Sequence, residues 1–170
     1  SATDLGYAAN TLTISYADSN GTAVTSGGDS FAIAEHTITA KALDGSNNFE
    51  TCDFTVEVVD TAKPNSITCG AQANSAGVAA STEEAVSSDG TAVVYWSATS
   101  ATDLGYAANT LTISYADSNG TAVTSGGDSF AVAEHTITAK ATDGSGNFET
   151  CTFTVEVVDT AKPDDITCGA

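Results

Sequence analysis

Arginine is absent from this 170-residue chain and lysine occurs four times, against 22 acidic side chains, giving a formal net charge of −18. Nucleic acids are held by Lys and Arg side chains that displace condensed counterions, so the shortage of cations excludes nucleic acid as a partner. An anionic membrane surface would repel the chain for the same reason. No run of 18 apolar residues occurs, so no membrane span is predicted in this segment, and no signal peptide is visible. Proline occurs twice, at Pro64 and Pro163, and cysteine four times, at Cys52, Cys69, Cys151 and Cys168. None of the cysteines forms a C-x-x-C pair, which argues against zinc. Four cysteines in a turn-rich β sequence point instead to an oxidising compartment.

The chain does contain a near-copy of itself. Residues 100–170 repeat residues 1–71, and six of the 71 aligned pairs differ: Ile33/Val132, Leu43/Thr142, Asn47/Gly146, Asp53/Thr152, Asn65/Asp164 and Ser66/Asp165. The repeat period is 99 residues, and the segment from Gln72 to Thr99, 28 residues long, is present once. A period near 100 residues exceeds those of solenoids and suits one independently cored domain, so the expectation is a string of domains. A single active site gains nothing from an adjacent copy, whereas reach, stiffness and avidity grow with copy number. The expectation is therefore a structural protein and not an enzyme.

Apolar residues alternate with period two. Leu111, Ile113 and Tyr115 oppose Thr110, Thr112 and Ser114; Ile137, Ala139 and Ala141 oppose Thr136, Thr138 and Lys140; Phe153, Val155 and Val157 oppose Thr154 and Glu156. The once-only segment contributes Ala92, Val94 and Trp96 to an inward face. Turn chemistry separates these runs at residues 117–120, 125–128 and 143–147. Short strands at this spacing predict an all-β fold of tandem immunoglobulin-like antiparallel β-sandwich domains. The two prolines, each a few residues past a strand, suit short linkers. This register predicts an incomplete domain over 1–59, a complete one over 60–158 and the start of a further repeat over 159–170. The incomplete domain lacks its opening strands and a Trp96 counterpart, so its faces along Leu12/Ile14 and Phe54/Val56 should be exposed; either the polypeptide continues in both directions as a long array, the favoured expectation, or a neighbouring copy donates strands, and both give a linear filament.

At this register the sequence resembles the HYR (hyalin repeat) family. The resemblance runs from Asp60-x-x-x-Pro64 and Ile67-Thr-Cys69 through Val94-x-Trp96, Ala101-Thr-Asp103 and Gly127-x-x-Phe130. It closes on Thr136 to Asn147 and Cys151-x-Phe153-x-Val155-x-Val157. The chain departs from the family in having Lys63 and Gly70 where prolines are usual. The resemblance implies an immunoglobulin-like extracellular module with adhesive or scaffolding roles and no catalytic residues. It also implies a disulfide between Cys69 and Cys151, leaving Cys52 and Cys168 to adjacent repeats. A local pairing, Cys52 with Cys69 and Cys151 with Cys168, is the alternative open to the sequence.

Several acidic residues invite a calcium reading. Asp60 and Asp159 flank the linkers, Asp44 and Asp143 open Asp-Gly-Ser loops, and Asp103, like its counterpart Asp4, lies in another loop; oxygen ligands from loops and linkers are what calcium requires. Turn formation and solubility are the competing roles for the same residues. His36 and His135, one repeat position seen twice, have no nucleophile singled out beside them and read as exposed strand-edge residues. Asn20-Gly-Thr22 and Asn119-Gly-Thr121 are N-glycosylation sequons as well as good turns. Together these observations predict an extracellular or cell-surface stalk, filament or matrix fibre, self-associating or continuing as a linear array. The alternative is an adhesin whose repeated loops bind glycans or cell-surface proteins, with Tyr7 and Tyr106 as its exposed aromatics.

Overall fold

Runs of β-branched and aromatic residues punctuated by turn residues leave the chain no helical period to follow, and the described residues form only strands. The computed structural model describes residues 2, 12–103, 111–163 and 168. Contacts divide the chain into two units, Ser1–Asp60 and Thr61–Ala170. Among the described residues no helix is long and apolar enough to cross a membrane.

The first unit contains β1 (Thr13–Asp18), β2 (Ala23–Val24), β3 (Ala34–Leu43) and β4 (Phe49–Val58) in one antiparallel sheet of order β2-β1-β3-β4. The long hairpin β3–β4 sets Ile38 opposite Phe54 and Ala40 opposite Cys52. This sheet has one apolar face and little over it. Ile38 is buried, but Ile14 and Phe54 are each 45% exposed, and Leu12 and Val56 are half-buried.

The second unit repeats the sheet and adds its cover. Its strands are β5 (Asn65–Thr68), β6 (Gln72–Ala73), β7 (Glu83–Glu84), β8 (Thr91–Val93), β9 (Tyr95–Trp96), β10 (Ser100–Thr102), β11 (Thr112–Ala116), β12 (Ser129–Ala131), β13 (Ala133–Thr142) and β14 (Phe148–Val158). The main sheet runs β11-β13-β14-β7, and three two-stranded ladders, β10-β5, β12-β8 and β6-β9, complete the unit. The hairpin register is that of the first unit, with Ile137 opposite Phe153 and Ala139 opposite Cys151. Val94, Trp96, Ala92, Val123 and Phe130 pack on Ile137, Val155 and Val157 as one core. Trp96 stands 5.5 Å from Tyr115 and 6.0 Å from Phe153, edge-on or tilted, the arrangement aromatic quadrupoles favour. Gln72 fastens the once-only segment to the sheet, donating from Nε2 to the Glu156 carbonyl at 3.0 Å and accepting from the Glu156 N–H at 2.8 Å.

Two details differ from the sequence expectation. Pro64, expected in a linker, is fully buried in the second unit just before β5, whereas its counterpart Pro163 is exposed. β7 pairs with β14 in parallel, Val157 opposite Glu83, within an otherwise antiparallel fold. Two glycines are enforced by close packing. A Cβ at Gly70 would lie 2.3 Å from the Ser97 carbonyl oxygen, and at Gly126, where φ is +74°, 2.5 Å from Tyr95 Cε1.

Because Trp96 is the centre of the cover and has no second copy, Trp96→Ala should destabilise the second unit by about 3 to 5 kcal/mol and leave the first unit's hydrogen-exchange rates unchanged. Urea denaturation followed by unit-resolved exchange checks both; equal acceleration in the two units would contradict the separate cores.

Candidate functional site

The acidic residues are first of all turn builders. In five turns an Asp or Asn side-chain oxygen accepts from the N–H groups two and four residues ahead. Asp18 accepts from Asn20 and Thr22, Asp44 from Ser46 and Asn48, Asn74 from Ala76 and Val78, Asp117 from Asn119 and Thr121, and Asp143 from Ser145 and Asn147. The distances run from 2.7 to 3.0 Å. Asn48 and Asn147 add a side-chain amide at 2.8 and 2.9 Å to Asp44 and Asp143. A carboxylate that accepts several N–H bonds is held in its charged form. The Asn48 side chain, with the Asn48 and Ser46 amides, lowers Asp44 below its ordinary 3.8 against some loss of water. At Asp143 burial is the largest single influence and pushes upward, but the Asn147 side chain and the amides of Asn147, Ser145 and Gly146 together outweigh it. Asp117 is lowered chiefly by the Thr121 amide.

Asp143 does more than close its turn. It is 6% exposed, and its carboxylate lies with those of Asp60 and Asp103, both half-buried, so that one oxygen from each falls within 4.8 Å of the others. Oxygens bound to one calcium ion at about 2.4 Å can stand no more than about 4.8 Å apart, so this spacing fits a shared hard cation. Three of the six acids singled out in sequence are thus brought together. Among the described residues Asp44 and Asp159 join no such group; Asp159 is exposed and accepts from the Ala161 N–H at 3.0 Å. Asp4, the sequence counterpart of Asp103, lies outside the described residues.

Cys69 and Cys151 are joined, with Cα atoms 5.8 Å apart, and Cys52 and Cys168 are free and exposed. The bond closes an 82-residue separation, which the chain-entropy account values at about 4 to 5 kcal/mol. His36 and His135 are half-buried, not exposed: each ring packs on an aromatic neighbour, Phe31 at 4.9 Å and Phe130 at 5.1 Å, and each Nε2 meets a carbonyl oxygen, of Ala32 or Ala131, at 2.8 Å. That is a packing role. Asn20 and Asn119 sit exposed at turn tips, each followed by a glycine at φ +80°. Tyr7 and Tyr106 lie outside the described residues.

The profile of the HYR domain family matches two adjacent segments, 9–58 and 59–157, and the chain belongs to that family. The second segment contains Asp60, Asp103 and Asp143 together, as well as Cys69 and Cys151. The chain is thus an all-β tandem of immunoglobulin-like sandwich domains. Among solved structures it is similar to the Clostridium thermocellum CbhA fibronectin(III)-like modules, at 11% identity and a TM-score of 0.37 over 92% of this chain and 83% of that one. No curated protein matches the chain in sequence.

The lowered aspartates favour the folded chain above their folded values. Their folded values lie below the unfolded 3.8, so the stability they contribute is present above that value and is lost as pH falls through the folded ones. Thermal melts should therefore hold steady down to about pH 4 and fall steeply below it. In the Asp44→Asn, Asp117→Asn, Asp143→Asn triple variant the fall should be shallower; an unchanged slope would remove these turns as its cause.

Proposed function

We propose that the chain is part of a structural array, an extracellular stalk, filament or matrix fibre built from tandem disulfide-stapled immunoglobulin-like domains. The observation that supports this most directly is the near-exact recurrence of 71 residues of the 99-residue repeat, with the same hairpin register in both copies. HYR membership and the Cys69–Cys151 bond support an oxidising, extracellular setting. No catalytic role is assigned. Asn20 and Asn119 are proposed glycan acceptors where the host glycosylates secreted chains.

Electron microscopy of native material tests the array. Strands of about ten residues rise about 33 Å, and with the connection to the next domain each unit should advance by about 35 to 45 Å. An axial repeat in that range is the expected result, and a monodisperse, single-chain particle would defeat the reading.

Calcium is the second reading, carried by the Asp60–Asp103–Asp143 cluster. Three carboxylates held this closely repel one another, and a bound cation relieves that repulsion. Extracellular modules hold calcium with dissociation constants of about 10⁻⁴ to 10⁻³ M, so 10 mM calcium should stabilise the domain matched over 59–157 by about 1.4 to 2.7 kcal/mol. Melts in calcium and in chelator measure this, and Asp103→Asn, which spares the Asp143 turn, should abolish the difference. Identical wild-type melts in the two conditions would end the metal reading.

A further inference from the structure

We infer that the native chain is closed to endoproteases that cut after lysine or arginine, and that it is closed in two ways: by a following proline where a lysine lies in an exposed connection, and by the sheet where a lysine lies in a hairpin. This property goes beyond the array reading and does not depend on it.

Proteases of the trypsin class hold the residue before the cut bond by its long cationic side chain. This chain offers them no arginine and four lysines, Lys41, Lys63, Lys140 and Lys162. They also need several residues around the bond drawn out into their cleft, which a folded segment supplies only by opening locally.

Lys63 and Lys162 are exposed, in the connections that follow β4 and β14, and connections of this kind are where chains are most readily nicked. Lys63 also stands where the HYR pattern usually has a proline, so it adds a cation at a vulnerable place. The chain has only two prolines, and they are the residues that come next, Pro64 and Pro163. In a Lys–Pro bond the nitrogen belongs to the pyrrolidine ring. It has no N–H to offer the protease, and the ring fills space that the next residue needs on entering the cleft. Pro64 is in addition fully buried just before β5, whereas Pro163 is exposed. At Lys162 the ring alone protects the bond.

Lys41 and Lys140 have no proline after them and are half-buried in the sheet. Each lies on a strand paired along both edges. Lys41 of β3 is opposite Ser15 of β1 and Thr51 of β4, and Lys140 of β13 is opposite Ser114 of β11 and Thr150 of β14. Presenting either bond means giving up both ladders of a ten-residue strand, an opening close to the unfolding of the sheet. The head groups are engaged as well, with Nζ 4.2 Å from the centre of the Phe49 ring and 3.9 Å from that of Phe148. Each copy of the repeat therefore carries one lysine of each kind, closed in the same two ways.

The test is digestion of the 170-residue chain with trypsin, read by intact mass. The native chain, with its disulfide intact, should keep its full mass under conditions that digest the reduced and unfolded chain completely. The unfolded chain should give three peptides, 1–41, 42–140 and 141–170, with both Lys–Pro bonds whole. Pro163→Ala, at an exposed position outside the core, should lose residues 163–170 under the conditions that leave the native wild type intact, a change from no product to near-complete conversion. Cutting of the native wild type after any lysine would overturn the inference. So would a Pro163→Ala chain as resistant as the wild type, because the bond after Lys162 would then owe its protection to something other than the ring. Cleavage between Lys63 and Pro64 in the unfolded chain would overturn it in the same way.

Discussion

A sheet with one apolar face must have that face covered, and most of this structure follows from how the requirement is met. Val155 is buried while its counterpart Val56 is half-buried, and Phe153 is half-buried while its counterpart Phe54 is 45% exposed, although the neighbours in sequence are near-identical. Their surroundings differ because the once-only segment packs on the second unit, where Val94 and Trp96 close the core. The edge-on Tyr16–Phe54 pair of the first unit, with centroids 6.3 Å apart, recurs as Tyr115–Phe153 at 6.4 Å. The sheet thus keeps its side-chain geometry with or without the indole. The cover removes water from a face that the hairpin has already shaped.

The acidic composition works within this frame. Surface carboxylates give the chain its net charge of −18, and the ones bonded to turn amides also fix where each strand ends. Two of the four lysines are placed to favour the hairpin: Lys41 lies 4.2 Å from the centre of the Phe49 ring and Lys140 3.9 Å from that of Phe148. These pairs shield aromatic rings left near the hairpin ends. Asp143 belongs to both systems, since the amides that order its turn also keep its carboxylate charged beside Asp60 and Asp103.

Alternation made the main strands legible. Ile137, Ala139, Ala141, Val155 and Val157 read as one inward face in sequence, and each is buried. The turn residues were legible for the same local reason. What sequence could not give was set by distant partners. Glu83 and Glu84 carry no apolar alternation and become a strand only because the edge of β14 offers unpaired groups beside them. Pro64 read as a linker because proline lacks a ladder donor, yet its ring is apolar and the fold buries it. The grouping of Asp60, Asp103 and Asp143 depends on bringing positions 83 residues apart together, and nothing local distinguishes them from Asp44 or Asp159.

The positions at which the two copies differ show which interactions the repeat holds fixed. Ile33/Val132 and Asp53/Thr152 are exposed, and Leu43/Thr142 is half-buried at the end of a hairpin strand. Asn47/Gly146 shares a left-handed turn position, with φ 68° in one copy and 88° in the other, and these are the two residue types that tolerate it best. Asn65 and Ser66 are exposed as well, while Asp164 and Asp165 lie outside the described residues. Among the described residues none of the differing positions is buried, although in the first unit much of the apolar face is open to water. A surface that had no partner would gain solubility from polar substitution at Ile14 or Phe54. Both copies keep the apolar residue.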